Sequence, residues 1–227
     1  MPLASCRYAV DDLDLEQPRN KTMNSNKLIL LDADGVLVDY HEGYAMGWER
    51  AFGYRPQVKD PQGYHPRNYW DVPDLDEAAR AHLNDKGLTE EVWASMPALP
   101  GAVLACEKLQ AAGFTLGCLT ALRPAMQPAR QANLAALGFK MSSVTAVGPH
   151  SDGNPKLAEL LLRRPVAFVD DLLPYLQGLP EGTWRALIDV RPNHSPNRRE
   201  DLEAPHSRHA SLLEFSDMWV ARALTTA

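Results

Sequence analysis

Two carboxylates lie close together in the tetrapeptide Asp32-Ala33-Asp34-Gly35, which follows a short apolar run. If strand geometry persists there, both Asp side chains point to the same side, because side chains alternate along a strand. Gly35 permits the tight turn that lets a ligand approach the backbone. Carboxylates at this spacing suit a nucleophile and a proton carrier, and their oxygens can hold a hard cation such as Mg²⁺. Alone, such a tetrapeptide is more often a turn or a loop.

Three further polar signals follow along the chain. Thr120 ends a second apolar run, and its hydroxyl and backbone N–H could hold an anionic oxygen. Lys156 begins a helical pattern, where its ammonium and the helix dipole both favour a phosphate, although a solvated lysine is the alternative. Asp170 and Asp171 end another apolar run and could complete a magnesium shell. In this order on successive predicted strands, the four signals favour a single site.

The elements that must position these residues form an alternating pattern. Short apolar runs typical of buried strands cover 27–33, 114–119, 143–147, 166–169 and 185–190. Helical patterns bounded by Gly or Pro lie between them at 101–113, 125–138 and 155–164. This alternation predicts an α/β fold, a Rossmann-like three-layer core with a central parallel sheet. Ligands of such folds lie beyond the carboxyl ends of the strands.

The interval 40–99 breaks the alternation, since it offers helical stretches but no convincing strand. We predict a small helical insertion there, within a core formed by 27–39 and 100–227. Residues 1–26 are polar and without periodicity, which favours a loose arm. After Val190 the chain is polar and rich in Pro, and a short amphipathic helix is expected around 212–223.

Composition narrows the class of protein. The chain has 227 residues, a net charge of −6 and a pI near 5.6, which argue against a nucleic-acid or anionic-membrane surface. No apolar run approaches the roughly 18 residues that cross a membrane, and no secretory signal is evident, so we expect a cytoplasmic protein. Three cysteines, Cys6, Cys106 and Cys118, are too few and too irregular for a disulfide framework or a zinc site, and we interpret them as reduced, mostly buried thiols.

Four segments of the sequence, in this order, resemble the motifs of the haloacid dehalogenase superfamily, whose members are mostly phosphatases. They are LLDADGVLVD, LGCLT, NPK and AFVDD, and the resemblance covers roughly 27–190. The insertion after the first motif is similar to the cap of the superfamily's first cap class. PGAVLACEKLQAAGF resembles the segment where the chain re-enters the core. The third motif is reduced to NPK.

The resemblance implies a magnesium-dependent phosphatase that acts on a small phosphorylated metabolite through an aspartyl-phosphate. Asp32 would form this intermediate, while Asp34 would protonate the leaving group and then activate water. Thr120, the adjacent Ala121 and Lys156 would contact the phosphoryl group. The metal set would be the Asp32 carboxylate, the Asp34 backbone carbonyl and Asp170, with Asp171 close by. The sequence leaves open which of the last two aspartates touches the metal.

Three other functions remain open at this level. A phosphotransferase or mutase of the same fold would pass the phosphoryl group to a sugar hydroxyl instead of water, depending on how well the cap excludes water. Carbon–halogen hydrolysis needs neither an acid at position 34 nor magnesium, so Asp34, Asp170 and Asp171 speak against it. A non-catalytic binding protein is disfavoured because no essential carboxylate is missing.

Several residues are candidates for substrate contact but have common alternatives. Tyr44 and Trp48 form a helical stripe that is better explained as the core of the insertion, and Arg67 as a solvated side chain. Arg123 could face the site or form an outward salt bridge. The other candidates in the insertion are His41, Glu42, Arg50 and Tyr69. His206 and His209 have the spacing of a helical metal pair, but without an evident third ligand we interpret them as a surface pair.

Overall fold

Six strands form one sheet in which every neighbouring pair is parallel, in the order β3-β2-β1-β4-β5-β6. The computed structural model describes residues 27–149 and 153–225. The strands are β1 (Leu28–Leu31), β2 (Thr115–Thr120), β3 (Ser143–Ala146), β4 (Ala167–Asp170), β5 (Trp184–Ile188) and β6 (Ser207–His209). The predicted α/β fold with a central parallel sheet is therefore confirmed.

Eight α-helices accompany the sheet within the described residues. They are α1 (Tyr40–Phe52), α2 (Pro66–Tyr69), α3 (Glu77–His82), α4 (Glu90–Ser95), α5 (Ala102–Ala111), α6 (Gln127–Ala136), α7 (Leu157–Arg163) and α8 (Leu212–Thr225). A π-helical turn covers Leu83–Gly87, and short 3₁₀ turns cover Pro124–Met126, Leu173–Leu176 and Pro196–Arg198. No helix in the described ranges is both long enough and apolar enough to cross a membrane.

Alternate residues of β1 bury against opposite faces of the sheet, as expected for a strand covered on both sides. Ile29 and Leu31 belong to a cluster with α5 and α8, whereas Leu30 packs with Leu160 of α7 and with Phe168. All five side chains are fully buried. The central strands are therefore held firmly, and their carboxyl ends become fixed positions for polar groups.

The helices α1 to α4 all lie within the predicted insertion, between β1 and α5. α1 packs on the π-helical turn, where a Cβ atom added at Gly87 would lie only 2.5 Å from the Gly47 carbonyl oxygen. Asp39 caps α1 by accepting hydrogen bonds from the backbone of His41 and Glu42. That 40–99 is a separate domain stays a prediction, and the predicted arm at 1–26 lies outside the described residues.

The carboxyl-terminal segment differs from its prediction in one respect. Ser207–His209 forms a sixth strand paired with β5, although it carries no apolar run that would indicate a strand. His206 is exposed, but His209 is buried against Phe215 of α8, with ring centroids 5.6 Å apart. The interpretation of these two histidines as a surface pair is therefore wrong for His209. They lie at a strand and not on a helical face.

The two cysteines in the described ranges, Cys106 and Cys118, are free and buried, as predicted. Burial raises the pKa of both thiols, so neither is available as a thiolate near neutral pH. Cys6 lies outside the described residues.

Candidate active site

The carboxyl ends of three adjacent strands bring polar side chains together at the middle of the sheet. Asp32 follows β1, Thr120 ends β2 and Asp170 ends β4, and β1 lies between the other two strands. Their side chains are buried, with Asp170 fully inaccessible and Asp32 only 7% exposed. Burial of this many polar groups is costly unless they are paired, so their partners define the site.

Lys156 is the central partner. Its Nζ lies 2.8 Å from Asp32 Oδ1 and donates to Asp170 Oδ2 at 2.7 Å, and the residue is fully buried. Burial alone would lower the pKa of this ammonium, but the charges of Asp170 and Asp32 outweigh burial and raise it. Lys156 is therefore a permanent cation between two carboxylates. Its backbone N–H donates to Asn154 Oδ1 at 2.9 Å, which fixes the turn before α7.

Asp34 is paired with Arg130, a residue that was not among the predicted site residues. Arg130 of α6 is fully buried, and its Nη2 donates to Asp34 Oδ1 at 2.6 Å. The guanidinium also donates to Asn133 Oδ1 at 3.1 Å and lies 5.2 Å from the centre of the Trp93 ring in α4. Burial raises the pKa of Asp34, whereas the charge of Arg130 opposes that rise. Arg130 thus holds the Asp34 carboxylate in one orientation.

Asn133 extends this contact to the insertion. Its Nδ2 donates to the carbonyl oxygens of Ala94 and Met96, at 3.2 and 2.8 Å. Arg130 and Asn133 therefore connect Asp34 to the end of α4 through hydrogen bonds that are largely buried. A displacement of α4 would move the side chain that orients Asp34.

Asp170 and Asp171 differ in their partners. Both oxygens of Asp170 are used, because Oδ1 accepts from the Leu172 N–H at 2.8 Å while Oδ2 accepts from Lys156. The carboxylate of Asp171 lies over Gly35 and close to Tyr64, a residue of the insertion that was not among the predicted candidates. Burial raises the pKa of both aspartates, and for Asp171 the charge of Asp170 adds to the effect.

Three of these carboxylates are close enough to share a cation. One oxygen from each of Asp32, Asp170 and Asp171 lies within 4.8 Å of the others. At Gly35, whose φ is +80°, an added Cβ atom would lie 2.5 Å from Asp171 Oδ2, so the backbone there leaves no room for a side chain. An all-oxygen set whose charges repel one another fits Mg²⁺, which prefers oxygen ligands.

A cavity of about 590 Å³ opens onto this centre. Asp32, Asp34, Thr120, Ala121 and Asp171 line it, whereas Lys156 and Asp170 lie behind these residues. The Thr120 hydroxyl accepts from the Leu122 N–H at 3.3 Å, which shapes the turn after β2. Of the predicted catalytic and phosphate-contacting residues, Asp32, Asp34, Thr120 and Ala121 thus line one cavity, whereas Lys156 lies behind its wall.

The candidates for substrate contact divide into two groups. His41 and Arg123 line the cavity, and Arg123 is exposed. Trp48 is buried in the insertion with its ring centroid 4.4 Å from that of Phe52, as the helical stripe predicts. The candidates that do not line the cavity are Glu42, Tyr44, Trp48, Arg50, Arg67 and Tyr69.

No protein-family model and no curated protein matches the sequence. Solved structures are similar in fold. An L-2-haloacid dehalogenase from Xanthobacter autotrophicus superposes with a TM-score of 0.54 at 17% identity, covering 85% of this chain and 98% of that one. A subfamily IA hydrolase from Geobacter sulfurreducens gives 0.53 at 18% identity, covering 85% and 95%. A phosphonoacetaldehyde hydrolase-like protein from Oleispira antarctica gives 0.52 at 17%, covering 86% and 91%.

Proposed function

Because the chain has the fold of the haloacid dehalogenase superfamily of hydrolases, we propose that it is a magnesium-dependent phosphatase that hydrolyses the phosphate monoester of a small metabolite. The observation that carries this proposal is the buried Lys156 ammonium, within 2.8 Å of Asp32 and 2.7 Å of Asp170 beside a cavity that Asp34 and Thr120 line. The ammonium, together with a Mg²⁺ ion that the carboxylates would hold, suits a dianionic phosphoryl group.

Asp32 is the nucleophile in this proposal. Its free carboxylate oxygen forms a bond to phosphorus while the bond from phosphorus to the leaving oxygen breaks, which gives an aspartyl-phosphate. A carboxylate attacks a phosphate dianion poorly unless positive charge offsets the repulsion, and Lys156 supplies such charge. The Thr120 hydroxyl and the backbone N–H of Ala121 would hold phosphoryl oxygens, since both residues line the cavity beside Asp32.

Asp34 moves the protons. Its carboxyl group gives a proton to the leaving oxygen, and its carboxylate then takes a proton from the water that attacks phosphorus. That attack breaks the bond to Asp32, releases phosphate and restores both aspartates. Burial raises the pKa of Asp34, which favours the protonated form needed for the first step, while Arg130 stabilises the ionised form needed for the second.

Asp32, the backbone carbonyl of Asp34 and Asp170 would hold Mg²⁺, with Asp171 beside them. The close approach of three of these carboxylates supports this set. The ion, when bound, neutralises part of the negative charge on the phosphoryl group and the aspartates. Tyr64, which lies close to Asp171, would help to orient it.

Chelation of the metal should abolish turnover. We expect phosphate release from a panel of phosphorylated metabolites with Mg²⁺, a fall to background with EDTA, and recovery when Mg²⁺ is restored in excess. The same assay should also include 2-chloropropionate as a test for chloride release, because one of the similar structures is a haloacid dehalogenase. Phosphate release that persists after exhaustive chelation, or chloride release without any phosphate release, would contradict the proposal. Transfer of phosphate to an added sugar in preference to water would favour the phosphotransferase alternative.

Replacing Arg130 by Met should lower kcat by about 10- to 100-fold, because a hydrogen bond to a charged group contributes about 1.5–3 kcal/mol. Steady-state kinetics with a phosphate ester measure this loss, and Arg130→Lys should recover part of it by keeping the charge. Arg50→Met is a matched control, since Arg50 is exposed and lies 3.5 Å from Glu91 in the insertion. A folded Arg130→Met protein with unchanged kcat would exclude a role for Arg130 in orienting Asp34.

A further inference from the structure

Arg191 lies on the wall of the same cavity, away from the reacting groups. It follows the end of β5 by three residues, and β5 is the neighbour of β4, which carries Asp170. In the sheet, β4 lies between β1 and β5, so the segments that carry Asp32 and Arg191 reach the cavity from strands that are not neighbours. A substrate whose phosphoryl group lies at Asp32 could therefore extend its distal end towards Arg191.

The guanidinium of Arg191 has no ion-pair partner among residues 27–149 and 153–225. Its Nε is buried without a hydrogen bond, and its carbon Cζ lies 5.2 Å from the centre of the Tyr69 ring. The nearby carboxylate of Asp189 is committed elsewhere, because Arg198 and Arg208 each donate to its Oδ2 at 2.8 Å. A partly buried cation without a carboxylate partner retains its capacity to bind an anion.

The loop that carries Arg191 is held by the insertion. The backbone N–H of Asn193 donates a hydrogen bond to the Gln62 carbonyl oxygen at 3.0 Å. The carbonyl oxygen of Asn193 accepts a hydrogen bond from the Tyr64 N–H at 2.9 Å. Asn193 Nδ2 also donates to Asp60 Oδ2 at 2.9 Å. The loop is therefore held, two residues after Arg191, by several hydrogen bonds before any ligand binds, which reduces the entropy cost of ordering this loop on recognition.

His41 adds a second polar group to this wall. It is 9% exposed, lines the cavity, and has an Nε2 without a hydrogen-bond partner. Burial, together with the nearby charge of Arg191, lowers its pKa to about 4, so the ring is neutral near pH 7. A buried polar atom without a partner is costly, and a ligand that reaches it would remove that cost.

We propose that Arg191 binds a second anionic group of the substrate, a carboxylate or a second phosphate, at the end distant from the transferred phosphoryl group. The substrate class is thereby narrowed to phosphate monoesters that carry a distal anion. This inference rests on the proposed phosphatase function in one respect, namely that the reacting end of the substrate is a phosphate monoester. The binding of a doubly anionic ligand can be measured without turnover.

The test compares ligands that differ only in the distal anion. In the presence of Mg²⁺, 4-(phosphonomethyl)benzoate should bind about 10- to 100-fold more tightly than benzylphosphonate, measured by isothermal titration calorimetry. Replacing Arg191 by Met should reduce this ratio to near one, and Arg191→Lys should keep part of it. Arg199→Met is the control, because Arg199 is exposed, pairs with Asp201 and does not line the cavity. The control should retain the wild-type ratio.

A second comparison uses three substrates, 4-carboxyphenyl phosphate, 1,4-phenylene bisphosphate and phenyl phosphate. It shows whether the distal group that Arg191 prefers is a carboxylate or a phosphate. Equal affinity for the two phosphonates, or a preference that survives Arg191→Met, would overturn the assignment of Arg191. Tighter binding of the doubly anionic ligand without hydrolysis of any ester would refute the proposed phosphatase activity and leave the distal anion site supported. Hydrolysis of phosphate esters without any preference for a distal anion would refute the distal anion site and leave the phosphatase activity supported.

Discussion

Replacing Asp32 by Asn should lower kcat for a phosphate ester by a factor on the order of 10⁴ or more, as expected when a nucleophile is removed. The amide has nearly the shape of the carboxylate but cannot form the aspartyl-phosphate. It also removes one of the two negative charges beside Lys156. The backbone N–H of Asp32 donates to the Val169 carbonyl at 2.9 Å, a bond that the substitution leaves intact, so the fold should be retained.

Asp76→Asn provides the matched control for this substitution. Asp76 is exposed in the insertion and caps α3 by accepting from the Ala79 N–H at 2.8 Å, a role that Asn fills about as well. Its kcat should stay within about twofold of the wild type, because surface substitutions rarely exceed about 0.5 kcal/mol. If Asp32→Asn retained activity comparable to this control, Asp32 could not be the attacking group.

Replacing Lys156 by Met should both inactivate and destabilise the protein. The substitution leaves two buried carboxylates without their shared cation, and removal of one partner of a buried pair typically costs about 3–5 kcal/mol. The same loss removes the positive charge that would offset the phosphoryl group, which lowers kcat by roughly 10²-fold or more. Urea unfolding followed by circular dichroism and steady-state kinetics measure the two effects separately.

The control for Lys156 is Lys108→Met. Lys108 Nζ lies 2.6 Å from Asp217, but these side chains are 41% and 57% exposed. An exposed pair of this kind contributes at most about 1 kcal/mol, so the control should unfold at nearly the wild-type urea concentration. Similar free energies of unfolding for Lys156→Met and Lys108→Met would show that the buried ion pairs are not holding the site together.

The core and the centre of the site follow from local patterns in the sequence. Apolar runs identify β1, β2 and β4 because these strands are buried on both faces. Once the strands are located, the polar residues at their carboxyl ends can be read from the sequence. Parallel strands bring those ends to one edge, so Asp32, Thr120 and Asp170 converge without further information. The pairing of Lys156 with two carboxylates depends on its exact orientation, which the sequence leaves open.

The functional residues that were not predicted from the sequence owe their positions to long-range packing. Arg130 lies in a helical pattern where a charged residue usually faces solvent, and its partner Asp34 is 96 residues earlier in the chain. Tyr64 and Arg191 lie in segments without periodicity, and hydrogen bonds between those segments bring them to the cavity. β6 contains only three residues, too few to show strand alternation. No local rule predicts these positions, because each is fixed by contacts that form only in the folded chain.

The attack by Asp32 on phosphorus is tested most directly by trapping the phosphorylated protein. Asp34→Asn removes the group that activates water, and 4-nitrophenyl phosphate has a leaving group that needs little help from an acid. This variant, mixed with the ³²P-labelled ester and Mg²⁺ and then quenched in acid, should release a burst of 4-nitrophenolate and retain the label on the peptide that contains Asp32. A burst without labelled protein, or with the label on another residue, would contradict the mechanism.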